Sequence, residues 1–152
     1  MDKKITIRWA NKHDCAAMMA LIKELALFEK APQEVVNTEE RMLKEGFDDN
    51  PLFKAFVAEQ NDIIVGLSIF YYRYSTWKGK CLYLEDLIVT ETERGKGIGT
   101  LLFEKTMAYA KSDGCTKMNW QVLDWNTPAI DFYKKYGSVF EDEWLNSSIE
   151  LN

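Results

Sequence analysis

Arg94-Gly95-Lys96-Gly97-Ile98-Gly99 follows the apolar run Leu82-Tyr83-Leu84-Glu85-Asp86-Leu87-Ile88-Val89 and opens an amphipathic stretch that reaches Lys111. A strand-like segment thus feeds a glycine-rich turn, which feeds a helix. Glycine at these positions frees the backbone for conformations closed to other residues and lets a ligand approach it closely. The first N–H groups of a helix have no partner within it, and the positive end of the helix dipole lies there, so such a turn suits an anion such as phosphate. Arg94 and Lys96 add full positive charges. Spacing narrows the reading. A dinucleotide fold needs G-x-G-x-x-G, and here residue 100 is threonine; a P-loop needs Gly-Lys-Ser/Thr at the helix start, and none is present.

Working outward, the chain alternates strand and helix signals. Ile5, Ile7 and Trp9 alternate with polar residues, as in a half-buried strand. Asp14 is placed to cap a helix that carries Met18, Leu21, Ile22, Leu25 and Phe28 on one face and stops before Pro32. Thr38, followed by two glutamates, starts a second helix that Gly46 ends. Residues 55–60 and 63–74 read as strands joined by an Asn61-Asp62 turn, and 80–89 as the next strand. A helix over 97–111 puts Ile98, Leu101, Leu102 and Tyr109 near one face; 117–123 is again strand-like. Asn126 or Thr127 caps a last helix with Pro128 in its first turn, and Gly137 follows its end. The tail, 138–141 and 147–151, alternates weakly and is expected to add edge strands. The expected order is β-α-α-β-β-β-α-β-α-β-β, an α/β fold in a single domain over 1–152, with an antiparallel meander and a parallel strand–helix–strand unit.

With 152 residues, 47% hydrophobic and 13% aromatic, the chain can bury a substantial core. A net charge of -5 argues against a nucleic-acid partner, which calls for a basic face, and is compatible with a cationic substrate. No signal peptide or membrane span is read, since the start moves straight into strand-like alternation and no apolar run approaches ~18 residues. The cysteines Cys15, Cys81 and Cys115 are scattered, and His13 is the sole histidine, so no metal-ligand cluster is expected. Reduced thiols in a cytoplasmic protein are the simplest account.

Glu85 and Asp86 stand side by side in an otherwise apolar strand. Successive strand residues face opposite sides, so at least one of the two is expected to face a packed or ligand-lined side; which one faces a cleft is not set by the sequence. Carboxylates here suit an amine. An alkylammonium of pKa ~10.4 cannot attack an acyl carbon, and stripping its proton costs about 4 kcal/mol at pH ~7.4. We assign Glu85 as the base or water relay and Asp86 as a substrate or structural anchor. Further on, Asn126 stands at a helix start and Tyr133 two turns inside it, in Asp124-Trp125-Asn126-Thr127-Pro128-Ala129-Ile130-Asp131-Phe132-Tyr133.

Arg94, Gly97 and Gly99 make the pattern Arg-x-x-Gly-x-Gly, which resembles the pyrophosphate-binding signature of the GCN5-related N-acetyltransferase (GNAT) superfamily. The segment Asn126 to Tyr133 resembles that superfamily's second cofactor motif, and the element order matches its fold throughout. The resemblance implies a mixed central sheet of about seven strands, splayed between the fourth and fifth and flanked by about four helices. It implies acetyl-CoA held by the backbone of Leu87 and Val89, by the 94–99 loop (Arg94, Gly95, Lys96, Gly97, Ile98, Gly99) and by Asn126. Tyr133 would protonate the leaving thiolate, and a thiol of pKa ~8.5 beside a phenol of ~10 makes that transfer plausible. The amine would attack directly, without an acyl-enzyme.

Five separated segments, 24–30, 46–51, 74–79, 83–86 and 123–126, are similar to the diamine acetyltransferase family, most of all to its thialysine N-epsilon-acetyltransferase branch. The polyamine branch has an acidic residue where this chain has Ser75 and a tyrosine where it has Phe28, which favours a shorter amine. Implied substrate contacts are Phe28, Glu29, Glu85, Asp86, Trp77 (by stacking or cation–π contact) and Trp144. A homodimer sharing residues across its pocket is implied as well. The alternatives are a polyamine acetyltransferase, an enzyme acting on protein lysines or N-termini, and a CoA-binding module without catalysis.

Overall fold

The structure, a computed structural model, describes residues 4–151. These fall into two compact units, the first running to Gln121 and the second beginning at Val122. The first unit holds β1 (Ile5–Trp9), α1 (Cys15–Phe28), α2 (Glu39–Phe47), β2 (Lys54–Gln60), β3 (Ile63–Ser75), β4 (Gly79–Val89), α3 (Ile98–Ser112) and β5 (Lys117–Asn119). The second holds α4 (Thr127–Lys134).

Strand order follows chain order, β1-β2-β3-β4-β5. The first four pair antiparallel, and β5 pairs parallel with β4. Five strands are found where about seven were expected. Among the described residues the stretches 138–141 and 147–151 carry no strand, and β5 ends at Asn119 rather than 123. A strand exists only where its backbone finds a ladder partner, and weak alternation in a short segment does not supply one.

Local chemistry explains most boundaries. Asn61 and Asp62 both adopt left-handed backbone (φ 51° and 63°), the conformation a two-residue hairpin turn needs, and both residue types tolerate it. Thr38 caps α2, its hydroxyl accepting from the Arg41 N–H at 3.1 Å. Asp14 immediately precedes α1 but does not cap it by side chain; its carboxylate instead pairs with Arg8 and accepts from the Asn11 N–H. Gly46 lies inside the last turn of α2 rather than beyond it. A Cβ there would meet the Phe53 ring at 2.0 Å, so the position is dictated by packing.

The sheet of the first unit is covered on both faces. Met18, Met19 and Leu21 of α1 and Met42 of α2 pack with Ala55, Val57, Leu67, Ile69 and Ile88 on one. On the other, Phe56 and Phe70 gather against Trp9 and Tyr109 with ring centroids 4.2 to 6.4 Å apart, and Ser68 bonds Thr106 of α3 at 2.6 Å in a fully buried pair. Burial on both faces is why the middle of β2, Ala55-Phe56-Val57-Ala58, is an unbroken apolar run.

Candidate active site

The pairing of β3 with β4 shifts in the middle. Leu84 opposes Phe70 and Asp86 opposes Ile69, so Glu85 is an extra residue with no partner across the ladder. Such a bulge breaks the alternation that would send neighbouring residues to opposite faces. Asp86 lies beside Ile69, and the Tyr71 hydroxyl, on that same face two residues along β3, donates to Glu85 Oε2 at 2.8 Å. The alternation expected of the two carboxylates is therefore broken here, and the bulge turns both toward the face that carries α1 and α2.

A pocket of about 310 Å³ opens there, lined by Leu52, Phe53, Ile69, Tyr71 and Glu85. One carboxylate thus borders an otherwise aliphatic and aromatic wall. The electrostatics are those of crowded anions. Burial, reinforced by the negative charges of Glu85 and Glu29, pushes the Asp86 carboxyl up to about 7. Burial also raises Glu29 above the usual carboxylate range. The Tyr71 phenol is raised by burial and by its bond to Glu85. Three carboxylates that sense one another in a half-buried place attract a cation.

The edge of β4 that faces β5 is open over part of its length. β5 pairs only with Cys81, Leu82 and Tyr83. The Thr90 N–H donates to Val65 O at 2.9 Å. By the alternation of an antiparallel ladder, Ile88 and Asp86 then face β3, while the N–H groups of Leu87 and Val89 aim at the opposite edge. These are the two amides that the family resemblance implies for an extended ligand.

The glycine-rich loop leads straight on from that edge. Gly95 and Gly97 have φ of 77° and 84°, and Gly97 is the N-cap that precedes α3. A Cβ on either would meet nothing within 4 Å, so their requirement is conformational. Gly99 is different. Its φ is not positive, and a Cβ would lie 3.8 Å from a Val89 methyl, an ordinary contact. Neither backbone nor packing demands glycine there, and a helix residue without a side chain costs about 1 kcal/mol against alanine. Close approach of a ligand to the helix N-terminus is the remaining physical reason, and the loop fits a pyrophosphate on that ground. Ile98, buried, anchors the helix start. Lys96 pairs with Glu93 at 2.8 Å. Arg94 donates from Nε to Val89 O at 2.8 Å and lies over the Phe28 ring at 5.5 Å.

The remaining residues are placed as follows. Glu29 caps the C-terminal end of α1, next to Phe28, which is 41% exposed. Trp77, 83% exposed, tips the β3–β4 hairpin and is not part of the pocket lining. Ser75 holds that hairpin: its hydroxyl accepts from the N–H groups of Trp77 and Lys78 at 3.2 and 3.0 Å. In the second unit Asn126 caps α4, accepting from the Ala129 N–H at 3.4 Å. Tyr133 in α4 is buried against Phe132 at 5.4 Å between ring centroids, and Trp144 is 68% exposed. Among the described residues no cluster suits a metal ion, and no helix is long and apolar enough to cross a membrane.

Sequence reasoning missed Tyr71, Leu52 and Phe53. Tyr71 reads as one more strand aromatic in Phe70-Tyr71-Tyr72, and Leu52-Phe53 as a loop after Pro51. No local pattern marks them: the β3–β4 register brings Tyr71 to Glu85, and the segment before β2 brings Leu52 and Phe53 to the pocket only through the tertiary fold.

Comparison with known proteins agrees with this architecture. The model of the acetyltransferase (GNAT) family matches residues 15–137. A thialysine N-epsilon-acetyltransferase of Mus musculus is 40% identical over 155 residues, covering 95% of this chain and 91% of that protein. A spermidine/spermine N(1)-acetyltransferase-like protein of Homo sapiens is 37% identical over 140 residues, covering 88% of this chain and 20% of that longer protein. The solved structure of an aminoglycoside N-acetyltransferase in complex with CoA superposes with a TM-score of 0.75 at 17% identity, covering 99% of this chain and 98% of that one, a likeness of fold.

Proposed function

This chain belongs to the acetyltransferase (GNAT) family, and from that premise we propose that it is a single-domain enzyme that moves an acetyl group from acetyl-CoA to a primary amine of a small substrate, a thialysine- or lysine-like amino acid or a diamine. The observation that carries the reading is the β4 bulge, which sets Glu85 and Asp86 on one face beside an apolar pocket. An alkyl amine fits that chemistry: its carbon arm packs on Leu52, Phe53 and Ile69, and its ammonium meets the carboxylates.

The proton is the central problem. Passing it from an ammonium of pKa ~10.4 to a carboxylate of ordinary pKa ~3.9 costs about 9 kcal/mol. A carboxylate raised to about 7, as Asp86 is, closes about half of that gap. Glu85 and Asp86 therefore act as a pair, in roles reversed from those the sequence suggested: Glu85, steadied by Tyr71, binds the ammonium, and Asp86, with its raised pKa, takes the proton directly or through water. The free amine forms its N–C bond with the acetyl carbon as the C–S bond breaks. Bound acetyl-CoA supplies the acetyl group as an activated thioester. The open-edge N–H groups of Leu87 and Val89 suit its extended arm, and that of Leu87 suits the thioester oxygen. Gly95, Gly97, Ile98 and Gly99, with Arg94 and Lys96, suit its pyrophosphate. Asn126 and Tyr133 keep the roles the family resemblance gives them, a coenzyme contact and the proton donor to the departing thiolate.

Two residues favour the shorter amine over a polyamine. The Ser75 hydroxyl is engaged in the hairpin turn, so no charge stands there for a second ammonium. Phe28 offers Arg94 a ring face and brings no hydroxyl. A homodimer is part of the proposal, supported by exposed apolar side chains of the second unit, Trp144, Leu145, Ile149 and Leu151. A cytoplasmic location is supported by cysteines that are all free thiols.

The test is release of free CoA from acetyl-CoA against thialysine, lysine, putrescine, spermidine, spermine and a lysine peptide. Turnover confined to thialysine-like amino acids or putrescine supports the proposal. Preference for spermine or the peptide overturns the substrate class, and no turnover with acetyl-CoA bound would leave a binding module. Glu85→Gln and Tyr133→Phe variants with wild-type kcat across pH would overturn the mechanism.

A further inference from the structure

Glu24 sits in α1, far from the glycine-rich loop in sequence, yet its carboxylate is occupied by that loop's entry. It accepts the Thr90 hydroxyl at 3.0 and 3.2 Å and the Glu91 N–H at 2.8 Å, and Arg94 Nη2 lies 3.9 Å away. Thr90 and Glu91 come directly after β4, and Glu91–Glu93 form the single 3-10 turn that delivers the chain to Arg94. The first N–H of such a turn has no partner within it, and Thr90, the local candidate, does not cap it by side chain. The cap comes instead from Glu24, 67 positions earlier. Arg94 is held from the other side by Val89 O. The tethers on the loop's entry thus run to rigid elements, from Glu24 in α1, Val89 in β4 and Val65 in β3, whose carbonyl accepts the Thr90 N–H.

We propose that Glu24 is a positioning residue: a cap set from α1 that holds the 90–94 segment so that the N–H groups of residues 95–99 are aimed at the pyrophosphate before it arrives. The proposal rests on the acetyl-CoA reading above. Its physical content is preorganisation. A loop already held in its binding conformation spends no affinity on ordering, and one released from its cap does. The Glu24 carboxylate does not itself meet the ligand, since an anion beside a pyrophosphate would repel it.

The test is CoA binding to the intact protein by titration calorimetry. Glu24→Ala should raise the Kd for CoA about ten-fold. Glu24→Gln keeps an acceptor oxygen for the Glu91 N–H and should recover most of the loss, which a general loss of packing would not allow. With acetyl-CoA the KM for the thioester should rise, while kcat at saturation and the KM for the amine stay near wild type. Thr90→Val removes a donor from the loop side; combined with Glu24→Ala it should add less than the sum of the two single changes. Wild-type CoA affinity in Glu24→Ala overturns the inference alone, as does strict additivity or a failure of Gln to rescue. A wild-type protein that does not bind CoA overturns the reading beneath it as well. If Glu24→Ala does not fold, Thr90→Val and Glu24→Gln decide the matter by the same Kd and KM criteria.

Discussion

Asp86 is the residue on which pH should act most visibly, because burial and the charges of Glu85 and Glu29 hold its proton to about pH 7. A carboxyl whose pKa is raised on folding favours the folded state at low pH and costs stability as pH climbs from about 4 to about 7. Asp86→Asn removes that cost. The variant should exceed the wild type by up to about 4 kcal/mol at pH ~8 and lose the advantage by pH ~4, read by urea unfolding at both values. A difference independent of pH would contradict the crowded-anion account. Tyr71 permits a second prediction at this scale. Tyr71→Phe removes the donor to Glu85 at an exposed bond, so stability should change by about 1 kcal/mol or less. A loss of about 1 kcal/mol in holding Glu85 corresponds to roughly a five-fold fall in kcat/KM for the amine. Unchanged kinetics would mean that Tyr71 does not orient the carboxylate.

At the scale of the element, the N-terminal turn of α3 separates two kinds of glycine. Gly97 has φ 84°, so Gly97→Ala should destabilise the protein by about 1 kcal/mol through backbone strain. Gly99 carries neither strain nor a clash, so Gly99→Ala should leave the melting temperature equal or slightly higher. It should nevertheless weaken CoA binding, because its methyl group would stand where the pyrophosphate approaches. Thermal melts beside calorimetric titration of both variants distinguish the two demands; a Gly99→Ala protein with intact CoA affinity would show that the glycine is incidental. The β4 bulge is the second decision made at this scale. Its extra residue, Glu85, converts a strand that would present one carboxylate to each face into one that presents both to the same face, with Glu85 lining the pocket there.

At the scale of the whole molecule, a ligand that binds only the folded chain must stabilise it. CoA at about a hundred times its Kd should add about 2.7 kcal/mol, a rise of roughly 5–10 °C in Tm for a chain of this size. Pantetheine, which lacks the pyrophosphate, should give a smaller shift, and equal shifts would show that the glycine-rich loop contributes nothing. The sequence by itself determined the α/β class, the strand–glycine loop–helix unit, the Thr38 cap, the Asn61-Asp62 turn and a cap at Asn126 or Thr127, and it singled out the carboxylates and glycines proposed for the site. Each of these is written in residues a few positions apart: periodicity, a cap and its helix, two residues of a turn. The tertiary structure alone decided the rest. Glu85 and Asp86 came to share a face because β3 and β4 pair out of step by one residue, a register that depends on both strands at once. Tyr71 joined the site by the same shift, and Glu24 reached the loop across 67 positions. The tail formed no strand because a ladder needs a partner as well as a pattern. Local physics reads from neighbours along the chain; register and long-range caps arise only between segments brought together by folding.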